Sequence, residues 1–208
     1  IALSDMTGGR LHAMHVSTAG GVALIRAAKK RGARVTAEAC PHHFTLTDES
    51  LRGFDSHFKM SPPLRTAADV EAIIEGLVDG TIDCIATDHA PHAREKKMLE
   101  LDRAPFGILG LETAVGLSVT RLVNTGRLGW PRLVEALSML PAKILGLNRG
   151  TLRPGAVADI TLIDPNLSWR VDANAFHSKS INSPFHGWTL QGRAVATIVG
   201  GRVKYRLG

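Results

Sequence analysis

The chain has 208 residues, 44% hydrophobic, 21% charged and 5% aromatic, the composition of a folded domain with a sizeable core. Its net charge is +6 and its pI about 9.7, but the charges are scattered: Lys29-Lys30-Arg31 lies on a helical pattern and Arg94-Glu95-Lys96-Lys97 is mixed in sign. That leaves no basic stripe with interleaved aromatics, so no nucleic-acid partner is expected. No apolar run approaches the ~20 residues of a membrane helix. No signal peptide is visible, and Cys40 and Cys84 lie too far apart for a disulfide framework, so a cytoplasmic setting is expected.

The chain opens at Ile1 without methionine, and 3–16 runs almost directly into a buried-strand pattern, as expected for the C-terminal part of something longer. Residues 11–16 read as a short buried strand. Ser17-Thr18 is placed to cap a helix and Gly20-Gly21 to make a tight turn. Helical apolar spacing over 22–30 (Val22, Leu24, Ile25, Ala28) ends at Gly32. Residues 34–39 read as a second strand, followed by a polar loop carrying Pro41, Thr47-Asp48-Glu49 and Ser61-Pro62-Pro63. An amphipathic helix is expected over 69–78, closed by Gly80, and a third strand over 82–87 with Asp88 at its C-terminal end. A long loop over 90–110 follows, then helices over 111–124, 131–139 and 141–147. After the Pro154-Gly155 turn the texture changes. Residues 158–163 and 195–199 are β-runs, and Gly200-Gly201 followed by 202–205 reads as a closing hairpin.

Strands alternating with helices predict an α/β fold with a parallel sheet. Each strand ends in reactive residues: His15, then Pro41-His42-His43, then Asp88 to His92. Chemistry at the C-terminal ends of strands is the pattern of a (β/α)8 barrel, and no Gly-rich phosphate loop argues for an open sheet instead. The expected organisation is the C-terminal part of a TIM-type barrel over 1–150 and a small β-rich appendage over 151–208.

Asp88 ends a buried apolar strand, where a lone carboxylate is costly and a metal is an economical partner. His15 occupies the equivalent position on another strand, so both side chains are expected in one barrel mouth. Zinc takes imidazole nitrogen and carboxylate oxygen readily, and lowers the pKa of the water it binds. His42 and His43 are open between ligand, supporting donor and packing. Arg65 is expected in an ion pair, and Cys40 and Cys84 as small buried residues.

His15-Val16-Ser17-Thr18, Val35-Thr36-Ala37-Glu38, Pro41-His42-His43, Pro62-Pro63-Leu64-Arg65, Ile85-Ala86-Thr87-Asp88-His89-Ala90-Pro91-His92 and Ala104-Pro105-Phe106-Gly107 resemble the dihydroorotases of the amidohydrolase superfamily, most of all the long-chain bacterial type. The blocks keep the family's order and spacing, and the resemblance runs through Gly150-Thr151-Leu152 into the tail. It implies a distorted (β/α)8 barrel with a β-sandwich appendage and a zinc centre of one or two ions. The implied reaction is the reversible conversion of N-carbamoyl-L-aspartate to dihydroorotate in pyrimidine biosynthesis. By position, His15 resembles a zinc ligand. Asp88 resembles a zinc ligand that is also the general base and acid. His92 resembles a substrate-binding histidine, and Phe106-Gly107 a loop that meets the substrate through its backbone.

Two departures matter. Ser61 stands at a substrate contact where the family usually has asparagine, and serine lacks the amide's paired donor and acceptor. The family's His-x-His pair, bridging ligand and further ligand histidine lie upstream of these blocks, so the chain alone is expected to be inactive. Two other readings compete: a non-catalytic scaffold for aspartate carbamoyltransferase, and a related allantoinase or dihydropyrimidinase. A homo-oligomer acting on a small molecule is expected.

Overall fold

The computed structural model describes residues 1–208. Its first half is built of strand–helix units. A helix, α1 (Ala2–Thr7), precedes strand β1 (Leu11–Ala13), helix α2 (Ala19–Lys30) and strand β2 (Val35–Ala39). After three short 3-10 segments come helix α3 (Ala67–Val78) and strand β3 (Cys84–Ile85). The three strands form a parallel sheet in the order β1-β2-β3, with Leu11 opposite Val35 and Ala39 opposite Ile85. Both outer strands are open edges. The expected parallel α/β sheet is present, with strands shorter than the apolar runs that signalled them.

Burial alternates along β2. Val35, Ala37 and Ala39 pack under α2 and α3 with Val22, Ile25, Ala28, Ile73, Ile74 and Leu77. Thr36 and Glu38 therefore point to the other face, with His12 of β1 beside them. Helix α3 starts at a capping box in which Thr66 accepts from Asp69 N and Asp69 accepts from Thr66 N. Asp69 also accepts from Ala19 N at 2.8 Å, tying the starts of α2 and α3 together.

The Gly20-Gly21 turn is not formed. Thr18 caps α2 by accepting from Gly21 N, and both glycines lie in its first turn. A Cβ on Gly21 would stand 3.1 Å from Thr18 Oγ1 and 3.3 Å from Val16, so a close approach to the strand, not a turn, explains a small residue there.

The loop expected over 90–110 contains a short helix, α4 (Arg94–Lys97). Helix α5 (Ala114–Ser118) continues as a π-helical turn over Val119–Val123. The two helices expected over 131–147 are one continuous helical segment: α6 (Trp130–Val134), a π-helical turn (Glu135–Met139) and α7 (Leu140–Ile144). Pro141 lies inside this segment, where the π-helical turn passes into α7 and its missing N–H interrupts the helical ladder.

The tail is one antiparallel sheet in the order β4-β5-β6: β4 (Ile160–Arg170), β5 (Thr189–Val199) and β6 (Arg202–Arg206). No second sheet of this chain faces it. Gly200 and Gly201, both at positive φ, turn the predicted hairpin. Leu117 of α5 shares a core with Leu190, Val171 and Phe185 of the tail and with Met60, Leu64 and Ile108. The 171–190 segment thus packs back onto the loops at the ends of the parallel strands. No helix is long and apolar enough to cross a membrane.

Candidate active site

His15 and Asp88 lie just past β1 and β3, and both hold left-handed backbone, φ 53° and 46°. Only one other non-glycine residue, Phe54, does so. Such backbone costs about 1–3 kcal/mol per residue and persists where the surroundings over-determine it. Here it turns two side chains from different strands toward each other. His15 Nε2 stands 3.6 Å from Asp88 Oδ1, beyond hydrogen-bond length. The Asp88 carboxylate accepts no hydrogen bond from the chain, although it is only about one-third exposed. Two metal-binding atom types thus converge across a gap.

Glu38, which sequence reading placed in a motif without a role, lies under this pair. Its Oε1 is 2.8 Å from His15 Nδ1 but out of hydrogen-bond alignment, which leaves this buried oxygen unpartnered. Its Oε2 pairs with His12 Nε2 at 3.0 Å, and His12 Nδ1 meets Thr36 Oγ1 at 2.8 Å. Cys40 Sγ approaches His15 Nδ1 at 3.4 Å. The Nδ1 side of His15 therefore faces supporting groups and the Nε2 side faces Asp88. The available signal was the period-2 pattern of 34–39, which puts the one carboxylate of β2 on the face opposite its apolar residues.

His42 and His43 are buried edge-to-face, 4.3 Å between ring centres. Burial, then the charges of His43 and His15, holds the His42 pKa well below its usual value. Burial also lowers that of His43, against the opposing bond to the Pro62 carbonyl. Both are neutral rings at pH 7. His43 Nε2 donates to Pro62 O at 2.9 Å, which leaves its Nδ1 without a partner; His42 Nε2 has none either. One donor atom each of Cys40, His42 and His43 falls within 4.8 Å of the others. Burial and the nearby Asp88 and Glu38 carboxylates push the Cys40 thiol far up, so it stays protonated. Both cysteines are buried and free, as expected, and burial raises Cys84 to about 11.

His92, Phe106 and Gly107 are brought together. His92 Nε2 donates to Phe106 O at 2.7 Å, and His92 N to Asn182 Oδ1 at 3.1 Å. Gly107, at φ 114°, donates to Lys59 O at 3.0 Å. A Cβ there would stand 2.5 Å from Ala90 Cβ, so only glycine lets this loop close against the segment after Asp88. Ser61 is exposed, on the turn whose next carbonyl, Pro62 O, binds His43. No hydrogen bond or ion pair joins the His15–Asp88 pair directly to the His92–Phe106 pair; the Asp88 to His92 segment links them. Arg65 forms no ion pair, contrary to expectation; its Nε donates to Ser17 Oγ at 3.4 Å. His89 Nδ1 accepts from Gly110 N and Leu111 N, which fixes its proton on Nε2, facing Ser178 Oγ at 3.3 Å.

The amidohydrolase family pattern matches residues 2–204. Proteins named dihydroorotase are similar over almost the whole chain: 60% identical in Pelotomaculum thermopropionicum over 98% of this chain, and 56% in Geobacter metallireducens over 99%. In each case the chain spans 48% of the relative, so it covers about half the length of the curated relatives it matches. The fold superposes on an L-hydantoinase (dihydropyrimidinase) from Arthrobacter aurescens with TM-score 0.93 and 35% identity, over all of this chain and 47% of that one. A dihydropyrimidinase from Brevibacillus agri gives TM-score 0.93 at 26% identity, over 99% of this chain and 46% of that one. Matched over nearly all of its length, the chain belongs to the amidohydrolase family.

Proposed function

We propose that this chain carries one wall of a metal-dependent cyclic amidase, a dihydroorotase, that interconverts N-carbamoyl-L-aspartate and dihydroorotate. The observation that carries the reading is the convergence of His15 and Asp88 on left-handed backbone above the unpartnered Glu38 oxygen. An imidazole nitrogen and a carboxylate oxygen suit zinc, and the residues fit it: the two donors face a gap with no protein hydrogen bond across it. When bound, such a cation supplies Lewis acidity and a water of lowered pKa.

His15 and Asp88 would hold the metal from this side. In ring opening, Asp88 takes a proton from the attacking water and returns it to the amide nitrogen as the C–N bond breaks; ring closure runs in reverse. His92, the Phe106-Gly107 backbone and the Ser61 hydroxyl bind substrate. The Glu38 carboxylate and the Cys40 thiol face the Nδ1 edge of His15, which leaves Nε2 directed at Asp88. The dihydroorotase identities of 52–60% favour that substrate over the hydantoinase reaction suggested by structural neighbours at 25–35%.

In the same reading, residues 1–150 are the C-terminal part of a (β/α)8 barrel and 151–208 the appendage. The tail sheet would be one half of a β-sandwich, which suits the apolar surface exposed at Leu162, Val199 and Val203. A cytoplasmic homo-oligomer is the expected setting, with aspartate carbamoyltransferase as a candidate partner. The test is turnover of dihydroorotate, allantoin and dihydrouracil by the complete natural protein, with and without chelator. Dihydroorotate should be preferred, and Asp88→Asn should lower kcat at least about 100-fold. Preference for another ring, or an unimpaired Asp88→Asn variant, sinks the proposal.

A further inference from the structure

Lys97 is the only lysine, arginine, aspartate or glutamate in the buried interior, at 3% exposure. It closes the short helix α4, and no carboxylate lies within ion-pair distance. Burial of an unpaired ammonium is costly. Desolvation, with a smaller push from nearby Lys59 and against Asp55, lowers its pKa to about 8. Nζ donates to two carbonyls, Pro105 O and Gly107 O, each at 3.1 Å. Asn182 Nδ2 adds a second donor to Gly107 O at 3.3 Å and binds Ala90 O at 2.9 Å. The backbone of Lys97 is itself held, since Ser56 Oγ donates to its carbonyl.

The carbonyl between them, Phe106 O, is taken by His92 Nε2. All three carbonyls of Pro105-Phe106-Gly107 are therefore bound by side chains, and Gly107 N is bound to Lys59 O. The Phe106 N–H alone has no acceptor in the chain, on a residue 56% exposed. The two carbonyl bonds offset part of the ammonium's burial cost and leave the Phe106 N–H as the segment's one unused donor.

We propose that Lys97 is a positioning residue: by clamping the Pro105 and Gly107 carbonyls it presents the Phe106 backbone to an anionic substrate. The substrate in this statement rests on the dihydroorotase reading; the clamp does not. The test is Lys97→Met in the complete natural protein, read by dihydroorotate kinetics and by hydrogen–deuterium exchange over residues 104–110. With Pro105 O unpartnered and Gly107 O held by Asn182 alone, the segment should loosen: exchange protection falls there and is kept elsewhere. KM should rise about tenfold, with kcat changed less than about threefold. Should Lys97→Met fail to fold, Lys97→Gln, which keeps a neutral two-hydrogen donor, should show the same local change in smaller degree. Undiminished protection over 104–110 in a folded variant overturns the clamp, and so does a fall in kcat at constant KM. If the protein turns over no dihydroorotate at all, the functional reading fails while the exchange result still decides the role of Lys97.

Discussion

In the proposed centre a ligand histidine would be aimed by whatever lies at its other nitrogen, and at His15 Nδ1 those groups are Glu38 Oε1 at 2.8 Å and Cys40 Sγ at 3.4 Å. Glu38→Gln keeps size but removes the negative charge beside Nδ1. It should lower metal affinity about 10- to 100-fold, measured by chelator competition on the complete protein. Unchanged affinity would mean that the left-handed backbone alone aims the ring. At the same scale, burial keeps His42 neutral in the folded chain, while the unfolded chain protonates it near 6.5. Below that pH the unfolded state binds more protons, so stability falls as pH drops below about 6.5 and stops falling only below the depressed folded value. The slope from this residue approaches about 1.4 kcal/mol per pH unit. His42→Phe should flatten urea-melt stability of the metal-free protein between pH 6.5 and 5; an identical slope would show that His42 does not carry it.

Among the elements, α3 is the one whose start rests on local chemistry. Thr66→Ala removes a cap and should cost about 1 kcal/mol. Asp69→Ala removes the reciprocal bond and the tie to Ala19 N, so it should cost more than Thr66→Ala in urea midpoint. The reverse order would mean that the α2 tie contributes nothing. The apolar spacing that predicted this helix was legible because period 3.6 is a property of neighbours in sequence. The π-helical turns after α5 and α6 were not, since the first packs on β5 of the tail and the second on β3, both distant in sequence. There Gly192 lets β5 lie against Val119: a Cβ would come within 2.7 Å of it. For the loop over 90–110, Gly107→Ala should unseat the segment that Lys97 holds, lowering both thermal stability and substrate affinity in the complete protein.

At the scale of the molecule, the inner face of the parallel sheet is open. His12, Thr36, Glu38, Cys84, Ile144 and Leu145 line a cleft of about 710 Å³ there, and β1 and β3 are both unpaired edges. Open parallel edges invite association. The 208-residue chain made alone should elute above its 22.3 kDa mass and, with zinc added, open no dihydroorotate ring. Turnover by a monomer would show that His15 and Asp88 suffice.

The α/β alternation, the strand-end placement of His15 and Asp88, and the family were legible in the residues alone, because period and residue chemistry are local and survive in the order of the blocks. Which groups surround those residues emerged only from the folded chain. Glu38 reaches His15 through the β1–β2 register. Asn182 comes from the tail to brace the turn that Lys97 clamps from within the loop. Each such contact joins segments distant in sequence, and no local pattern encodes the distance between them.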